Sequence, residues 1–272
     1  MRVATVNVNG VRAAWRKGMA DWLASADADI VTLQEVRAPD AVVQDVLAES
    51  GFYVAHTESV QKGRNGVAVL TKAEPKDVRP HCGDAYFDDS GRWIEVDVPL
   101  DDGSLLTVAS AYVHSGAVGT PQHDDKMRFL GRMLERMAAI GADADHGLVT
   151  GDFNVGHTER DIRNWKGNVG KSGFLPEERA ILDRAAADVG WVDVHRALSG
   201  DVDGPYTWWS MRGQAFDNDT GWRIDYQFAT PELAAAATSA RVDRAPSWAE
   251  RWSDHAPLVI AYSLRLQASA AV

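Results

Sequence analysis

The run Leu148-Val149-Thr150-Gly151-Asp152-Phe153-Asn154-Val155 constrains this chain more than any other stretch. Leu148 to Thr150 read as the end of a short buried strand, and Gly151 is expected to break it. Asp152 and Asn154 follow at alternate positions, so both polar side chains leave the strand end on one side while Phe153 points back into the protein. A carboxylate and an amide at the carboxyl end of a strand gain little from packing and are well placed for a site. An Asx-rich turn would give the same local pattern, so the reading depends on partners elsewhere in the chain.

The remaining strands and helices follow from periodicity. Residues 2–8 and 29–35 read as buried strands, the second closed by Glu35. Met19, Trp22 and Leu23 mark one face of a helix over about 15–25. Pro39 opens a helix to about Ser50, with Val42, Val43, Val46 and Leu47 inward and Gly51 as its C-cap. Strands are expected at 52–56 and 66–71, and a hairpin at 92–98 and 105–113 turns on Asp101-Asp102-Gly103. Met127, Leu130, Leu134 and Met137 recur at helical spacing over about 124–140 and read as core. The irregular stretch 156–175 is too long for a mere connector and is a candidate functional loop. Pro176 then starts a helix (Ile181, Leu182, Ala185 and Val189 inward) that Gly190 ends, and strands are expected at 206–209, 223–229 and 258–264.

Strands outnumber helices and several are apolar on both faces. That pattern predicts two packed mixed β-sheets flanked by helices rather than one doubly wound sheet. At 272 residues the chain has room for one large α/β domain or two small ones. No linker or repeat divides it, so a single catalytic domain over 1–266 and a flexible tail over 267–272 are expected.

Composition limits the partners. Hydrophobic residues at 45% and charged residues at 25% are usual for a soluble globular protein, and no apolar run reaches the ~18 residues of a membrane span. The N-terminus lacks a secretion-signal pattern, and the lone Cys82 cannot form an internal disulfide; both point to a cytoplasmic protein. A net charge of −11 argues against nonspecific coating of nucleic acid. It is compatible with a nucleic-acid enzyme whose site carboxylates are offset by a bound metal.

Polar residues stranded at strand ends are Asn7, Glu35, Tyr112, Asp152, Asn154, Asp225, Asp254 and His255. Each alone has a structural explanation; strand ends of packed sheets can also converge on one rim. Leu33-Gln34-Glu35, Gly151-Asp152-Phe153-Asn154, Gly221-Trp222-Arg223-Ile224-Asp225-Tyr226 and Ser253-Asp254-His255-Ala256-Pro257-Leu258 resemble, in order and spacing, the exonuclease III class of abasic-site endonucleases. That class belongs to the endonuclease/exonuclease/phosphatase superfamily. Asn7-Val8-Asn9-Gly10-Val11-Arg12-Ala13 and Ser172-Gly173-Phe174-Leu175-Pro176-Glu177-Glu178-Arg179 match as well, so the resemblance spans about 2–262.

The resemblance implies a four-layer α/β sandwich and a Mg²⁺-dependent DNA-repair phosphodiesterase, with Mn²⁺ able to substitute. Glu35 is then similar to the principal metal ligand, with Asn7 beside it and Asp254 at the same or a second metal position. Asp152 resembles the residue that orients or deprotonates the attacking water, with Asn154 fixing it. His255, held by Asp225, would lie on the phosphate, and Tyr112 close by. Trp208, Trp222 and Ile224 match the pocket for a flipped, base-less sugar, and Lys62, Arg64 and Lys171, with Arg163, Lys166 and Arg212, fall in loops that could grip phosphates. The implied substrate is double-stranded DNA with abasic sites or 3′ ends, and the implied state is monomeric. Departures from the family pattern are His114-Ser115-Gly116, Val36-Arg37 and Asn164-Trp165-Lys166; they are expected to touch DNA-contact loops and not the catalytic set.

Two other readings stand against this one: a superfamily phosphatase acting on a phosphoinositide or other small phosphoester, and a catalytically silent DNA-binding module. The first could use the same metal and histidine, but the Trp-Arg-Ile-Asp-Tyr segment favours DNA. The second conflicts with the intact polar set. An ATPase reading of Gly170-Lys171-Ser172 fails because Trp165 stands where a P-loop needs its first glycine.

Overall fold

The computed structural model describes residues 1–268. Chain order gives β1 (Arg2–Asn7), α1 (Val11–Ala14), a π-helical turn (Trp15–Met19), α2 (Ala20–Ser25), β2 (Ile30–Gln34), α3 (Asp40–Leu47), β3 (Tyr53–Thr57) and β4 (Val67–Thr71). Then come β5 (Asp77–Arg79), β6 (Trp93–Pro99), β7 (Leu105–Tyr112), α4 (Pro121–Asp143), β8 (His146–Asp152) and α5 (Pro176–Ala187). The chain continues with β9 (Val192–Asp193), α6 (Val194–Ser199), β10 (Trp208–Trp209), β11 (Gly221–Trp222), β12 (Asp225–Ala229), α7 (Pro231–Ala235), β13 (Ala237–Val242) and β14 (Leu258–Tyr262).

Two six-stranded sheets form, in the orders β13-β14-β1-β2-β4-β3 and β5-β6-β7-β8-β12-β9. Three apolar clusters show how they stack. Val3, Ile30, Val69 and Ile260 of one sheet meet Val96, Val108, Leu148 and Ala229 of the other between the two sheets. Ala4, Val6, Val31 and Leu33 face outward onto Val11, Met19, Leu23 and Val43 of the amino-terminal helices. Ala109, Val149 and Phe228 face outward onto Phe129, Leu130 and Met133 of α4 and Leu182 of α5. The result is the four-layer α/β sandwich expected from strands apolar on both faces.

The interior between the sheets also carries a polar seam. Thr32 and Thr150 hydroxyls meet at 2.6 Å across it, and Gln34 Nε2 donates to Ser110 Oγ at 3.0 Å. These pairs fix the sheets' mutual register in a way methyl groups alone would not.

Topology decides where function can sit. β1 and β2 run parallel, as do β7 and β8, so the carboxyl ends of all four strands can reach one rim. β12 and β14 run antiparallel to β8 and β1 and bring their amino ends to the same rim.

Several expectations need correction. β8 is not broken at Gly151 but continues to Asp152, with Gly151 at φ +141 opposite Ala111 of β7. A Cβ there would lie 1.9 Å from the Ala111 carbonyl oxygen, so glycine permits close strand approach here and does not end the strand. α4 begins at Pro121, earlier than the expected 124, because proline is preset for a first helical position. The strand expected over 206–209 shrinks to Trp208–Trp209, and the one over 223–229 begins at Asp225. The sequence pattern does not announce β5, β9, β11, α6, α7 or β13; each is short, and β13 is a half-exposed edge strand with no clear alternation. Of the expected tail, Gln267 donates its amide to the Pro99 carbonyl, and 269–272 lie outside the described residues. Among the described residues no helix is long and apolar enough to cross a membrane.

Gly151→Ala should therefore cost about 2–6 kcal/mol, from overpacking against a backbone atom plus a strained φ. Thermal or denaturant unfolding measures this; an unchanged midpoint would show that β7 and β8 are not held so closely.

Candidate active site

The rim gathers side chains from five strands. Asn7 ends β1, Glu35 follows β2, Tyr112 ends β7, Asp152 ends β8 and Asp225 begins β12. Asn9, Glu35 and Asn154, just beyond three of these strand ends, have φ of 47°, 48° and 50°. For glutamate that left-handed backbone is strained, and such strain clusters where a side chain must be aimed.

Hydrogen bonds and one longer ion pair link these side chains. Asn7 Nδ2 donates to Glu35 Oε1 and to Asp152 Oδ2, both at 2.9 Å. Asn154 donates its backbone amide to Asp152 Oδ1 at 2.9 Å and its side-chain amide to Asp152 Oδ2 at 3.0 Å. His255 Nδ1 lies 2.9 Å from Asp225 Oδ2, and its Nε2 lies 3.8 Å from Asp152 Oδ2. The Ser253 hydroxyl donates to the Asn7 carbonyl at 2.6 Å and accepts the His255 amide at 3.2 Å, tying this loop to β1. Phe153 is fully buried and stacks on Tyr226 and Phe228, as the alternation predicted.

Charge in this cluster is tightly coupled. Burial, then the adjacent Asp225 and Glu35 carboxylates, push the Asp152 carboxyl up to about 8 against the pull of His255. Burial disfavours the His255 imidazolium, but Asp225 and Asp152 outweigh it and raise the ring to about 10. Burial and the neighbouring Glu35 and Asp152 hold the proton on Tyr112. Asp254 stays low despite burial, because His255 and hydrogen bonds from Asn9 and Trp208 favour its ionised form.

Ligand atoms of Asp152, Asp225 and His255 lie within 4.8 Å of one another. Glu35 adds a hard oxygen donor beside them, bridged to Asp152 by the Asn7 amide nitrogen, while the Asn7 amide oxygen accepts the Asn9 backbone amide at 3.0 Å. This oxygen-dominated, net acidic set suits a hard divalent cation. Asp254, expected near the metal, has both carboxylate oxygens engaged, by Asn9 Nδ2 at 2.9 Å and Trp208 Nε1 at 3.1 Å. It is linked to Glu35 through Asn9, by way of both Arg37 and Asn7.

The model of the Endonuclease/Exonuclease/phosphatase family matches residues 4–255. This chain belongs to that family. It is 32% identical over 259 residues to the "Exodeoxyribonuclease" of Bacillus subtilis, covering 95% of this chain and 98% of that protein. It is also 32% identical to the "DNA repair nuclease APEX1" of Danio rerio, covering 96% of this chain and 81% of that protein. The solved AP endonuclease of Archaeoglobus fulgidus superposes with a TM-score of 0.85 at 26% identity, covering 96% of this chain and 99% of that chain.

Family residues outside the central cluster fall as follows. Trp208 and Trp222 are half-buried, 6.0 Å apart and nearly perpendicular, and Trp208 stands 6.4 Å from the His255 ring. Ile224 is only 3% exposed, beneath the surface and not on an open wall. Lys62 and Arg64 are exposed in the β3–β4 loop, on either side of Gly63, which shares a cavity with Arg12, Arg16 and Arg37. Lys171 is exposed two residues before Gly173, whose own Cβ position would press on the Trp222 ring. Arg163 and Arg212 are exposed, and Lys166 lies over the Trp165 ring at 5.6 Å.

Two residues had been misjudged or missed. Arg37, expected to belong to a DNA-contact loop alone, forms an ion pair with Glu35 and donates to Asn9, so this departure reaches the carboxylate cluster itself. Lys126 is fully buried, 2.6 Å from the fully buried Glu178, and donates to the Asn154 carbonyl at 2.9 Å. Glu178 in turn accepts the amides of Gly173 and Leu175. The sign was available: Lys126 stands four residues before Leu130, on the apolar stripe of α4.

In divalent-free buffer, the His255 imidazole should titrate near 10 by NMR; a midpoint near 6.5 would remove the Asp225–Asp152 coupling from the account. The folded value lies above the ordinary 6.5, so the stability His255 adds is complete below pH 6.5. It should be lost as pH rises toward 10, by up to about 1.4 kcal/mol per pH unit.

Proposed function

We propose that this protein is a Mg²⁺-dependent DNA-repair nuclease that hydrolyses phosphodiester bonds of double-stranded DNA at abasic sites and at 3′ ends. The observation that carries this reading is the continuous path Glu35–Asn7–Asp152–His255–Asp225 on one rim. Relatives named as an exodeoxyribonuclease, a DNA repair nuclease and an AP endonuclease support the same class of reaction.

In this reading Glu35 and Asn7 would hold the cation. Bound Mg²⁺ would supply positive charge that favours the ionised Asp152 and offsets the phosphate. Asp152, positioned by Asn7 and Asn154, orients a water and takes its proton as the water oxygen attacks phosphorus. The bond from phosphorus to the leaving 3′-oxygen breaks, and that oxygen takes a proton from solvent to become the 3′-hydroxyl. The His255 imidazolium, kept charged by Asp225, opposes the negative charge growing on the non-bridging oxygens, and Tyr112 offers a phenol that retains its proton. Trp208 and Trp222 form the walls that receive a sugar lacking its base; such a residue has no base stacking to lose on extrusion.

A labelled duplex with one abasic site, incubated with Mg²⁺ and with chelator, tests the activity. Cleavage should require the metal, with Mn²⁺ able to replace it. Asp152→Asn and His255→Ala should each lower turnover by about three orders of magnitude or more while DNA binding is largely kept. Near-normal turnover in either variant rejects these roles. Preferential hydrolysis of a phosphoinositide in a parallel assay would favour a superfamily phosphatase instead.

A further inference from the structure

A cavity of about 340 Å³ opens beside the rim, and its walls include none of Glu35, Asp152, Trp208 or Trp222. Asn9 and Asp254 form its boundary with the carboxylate cluster; Lys17, Met211, Trp248, Arg251 and Trp252 form the rest of what matters. Trp248 is 47% exposed and Met211 56%, so two large apolar side chains stand open at one mouth. Arg251 holds them together: its guanidinium lies 5.2 Å from the Trp248 ring and 2.8 Å from the Met211 sulfur.

The floor is built deliberately. Trp252 packs on Trp22 at 5.7 Å and against Gly18, where a Cβ would lie 3.7 Å from its ring. Gly18, at φ +129, kinks the chain between the two amino-terminal helices, and that kink carries Lys17 to the cavity wall. Asp254 is the only carboxylate on this wall among the described residues, and both its oxygens are already hydrogen-bonded. An exposed Lys17, a half-buried Arg251 and an exposed indole therefore line the cavity, on a protein whose net charge is −11.

We propose that this cavity is a subsite for an unpaired nucleotide of the DNA substrate, next to the bond that is cut. The base stacks on Trp248, and its backbone phosphate meets Lys17 and Arg251. An aromatic face beside Arg and Lys is the chemistry that holds single-stranded nucleic acid. A base within an intact duplex has both faces stacked and cannot use the indole. The inference rests on the nuclease reading for its place in the reaction, but its binding chemistry can be tested without turnover.

The test is fluorescence polarisation of a labelled eight-nucleotide oligothymidylate in chelator, with a fully paired duplex as comparator. Trp248→Ala should weaken oligothymidylate binding about tenfold, the loss of one stacked base, and change duplex binding less than about twofold. Trp248→Tyr should restore most of the loss, which separates lost stacking from misfolding. Lys17→Ala should reduce the slope of log K against log salt by about 0.7. Failure of the wild type to bind oligothymidylate, an unchanged Trp248→Ala variant, or equal losses on both DNAs would overturn the proposal. Cleavage of the abasic duplex with Mg²⁺ decides the nuclease reading separately: Trp248-dependent binding without cleavage would keep the subsite and discard that reading.

Discussion

Two carboxylates buried side by side set the terms for this fold. Asp152 and Asp225 are paired residues on adjacent antiparallel strands, exposed by 1% and 0%. Removing one ionised carboxylate from water already costs several kcal/mol, and a second beside it adds repulsion. Asn7, Asn154 and His255 offset that cost, each from a different strand end or loop. Any change in how β1, β8, β12 and the 253–255 loop meet would leave a buried charge uncompensated. The stability of the rim and its chemistry therefore depend on the same few contacts.

Support for those contacts lies behind them. The Lys126–Glu178 pair holds the Asn154 carbonyl on one side and the amides of Gly173 and Leu175 on the other. Further out, Arg223 is fully buried against Asp161 at 2.6 Å and Asp193 at 2.8 Å. Its cation also lies 4.6 Å from the Tyr226 ring. These pairs pin the 156–175 loop to α4, α5, β9 and the segment that leads into β12. Such pairs are weak arguments for net stability, since burying both charges offsets much of the attraction. Their contribution is positional: a loop anchored at Asp161 and Gly173 packs against Trp222 of β11 and fixes its place.

The negative total charge and a phosphodiester substrate are reconciled by distribution. Acidic residues converge on the inner rim, while Lys62, Arg64, Lys171 and Arg251 on loops and Lys17 on the turn Trp15–Met19 lie outside it. Arg37 belongs to both zones, since it meets Glu35 and also lines the cavity beside Gly63. A chain can carry excess acid overall and still offer phosphate a favourable approach, because screening confines each group's influence to about 10 Å at moderate salt.

The chain by itself determined the strands of the two sheets' centres and the residues at their ends. Alternation and apolar runs are local, so 2–8, 29–35, 105–113 and the GDFN stretch could be read without neighbours. Short elements such as β9 and α6 escaped because two to six residues carry too little periodicity. Gly151 was misread because its requirement is the Ala111 carbonyl, an atom forty residues away in the chain. The same reason hid the Lys126–Glu178 pair and the Trp248 cavity. Local spacing says which side chains leave a strand end; only the packing of two sheets decides which of them meet, and so which charges are compensated.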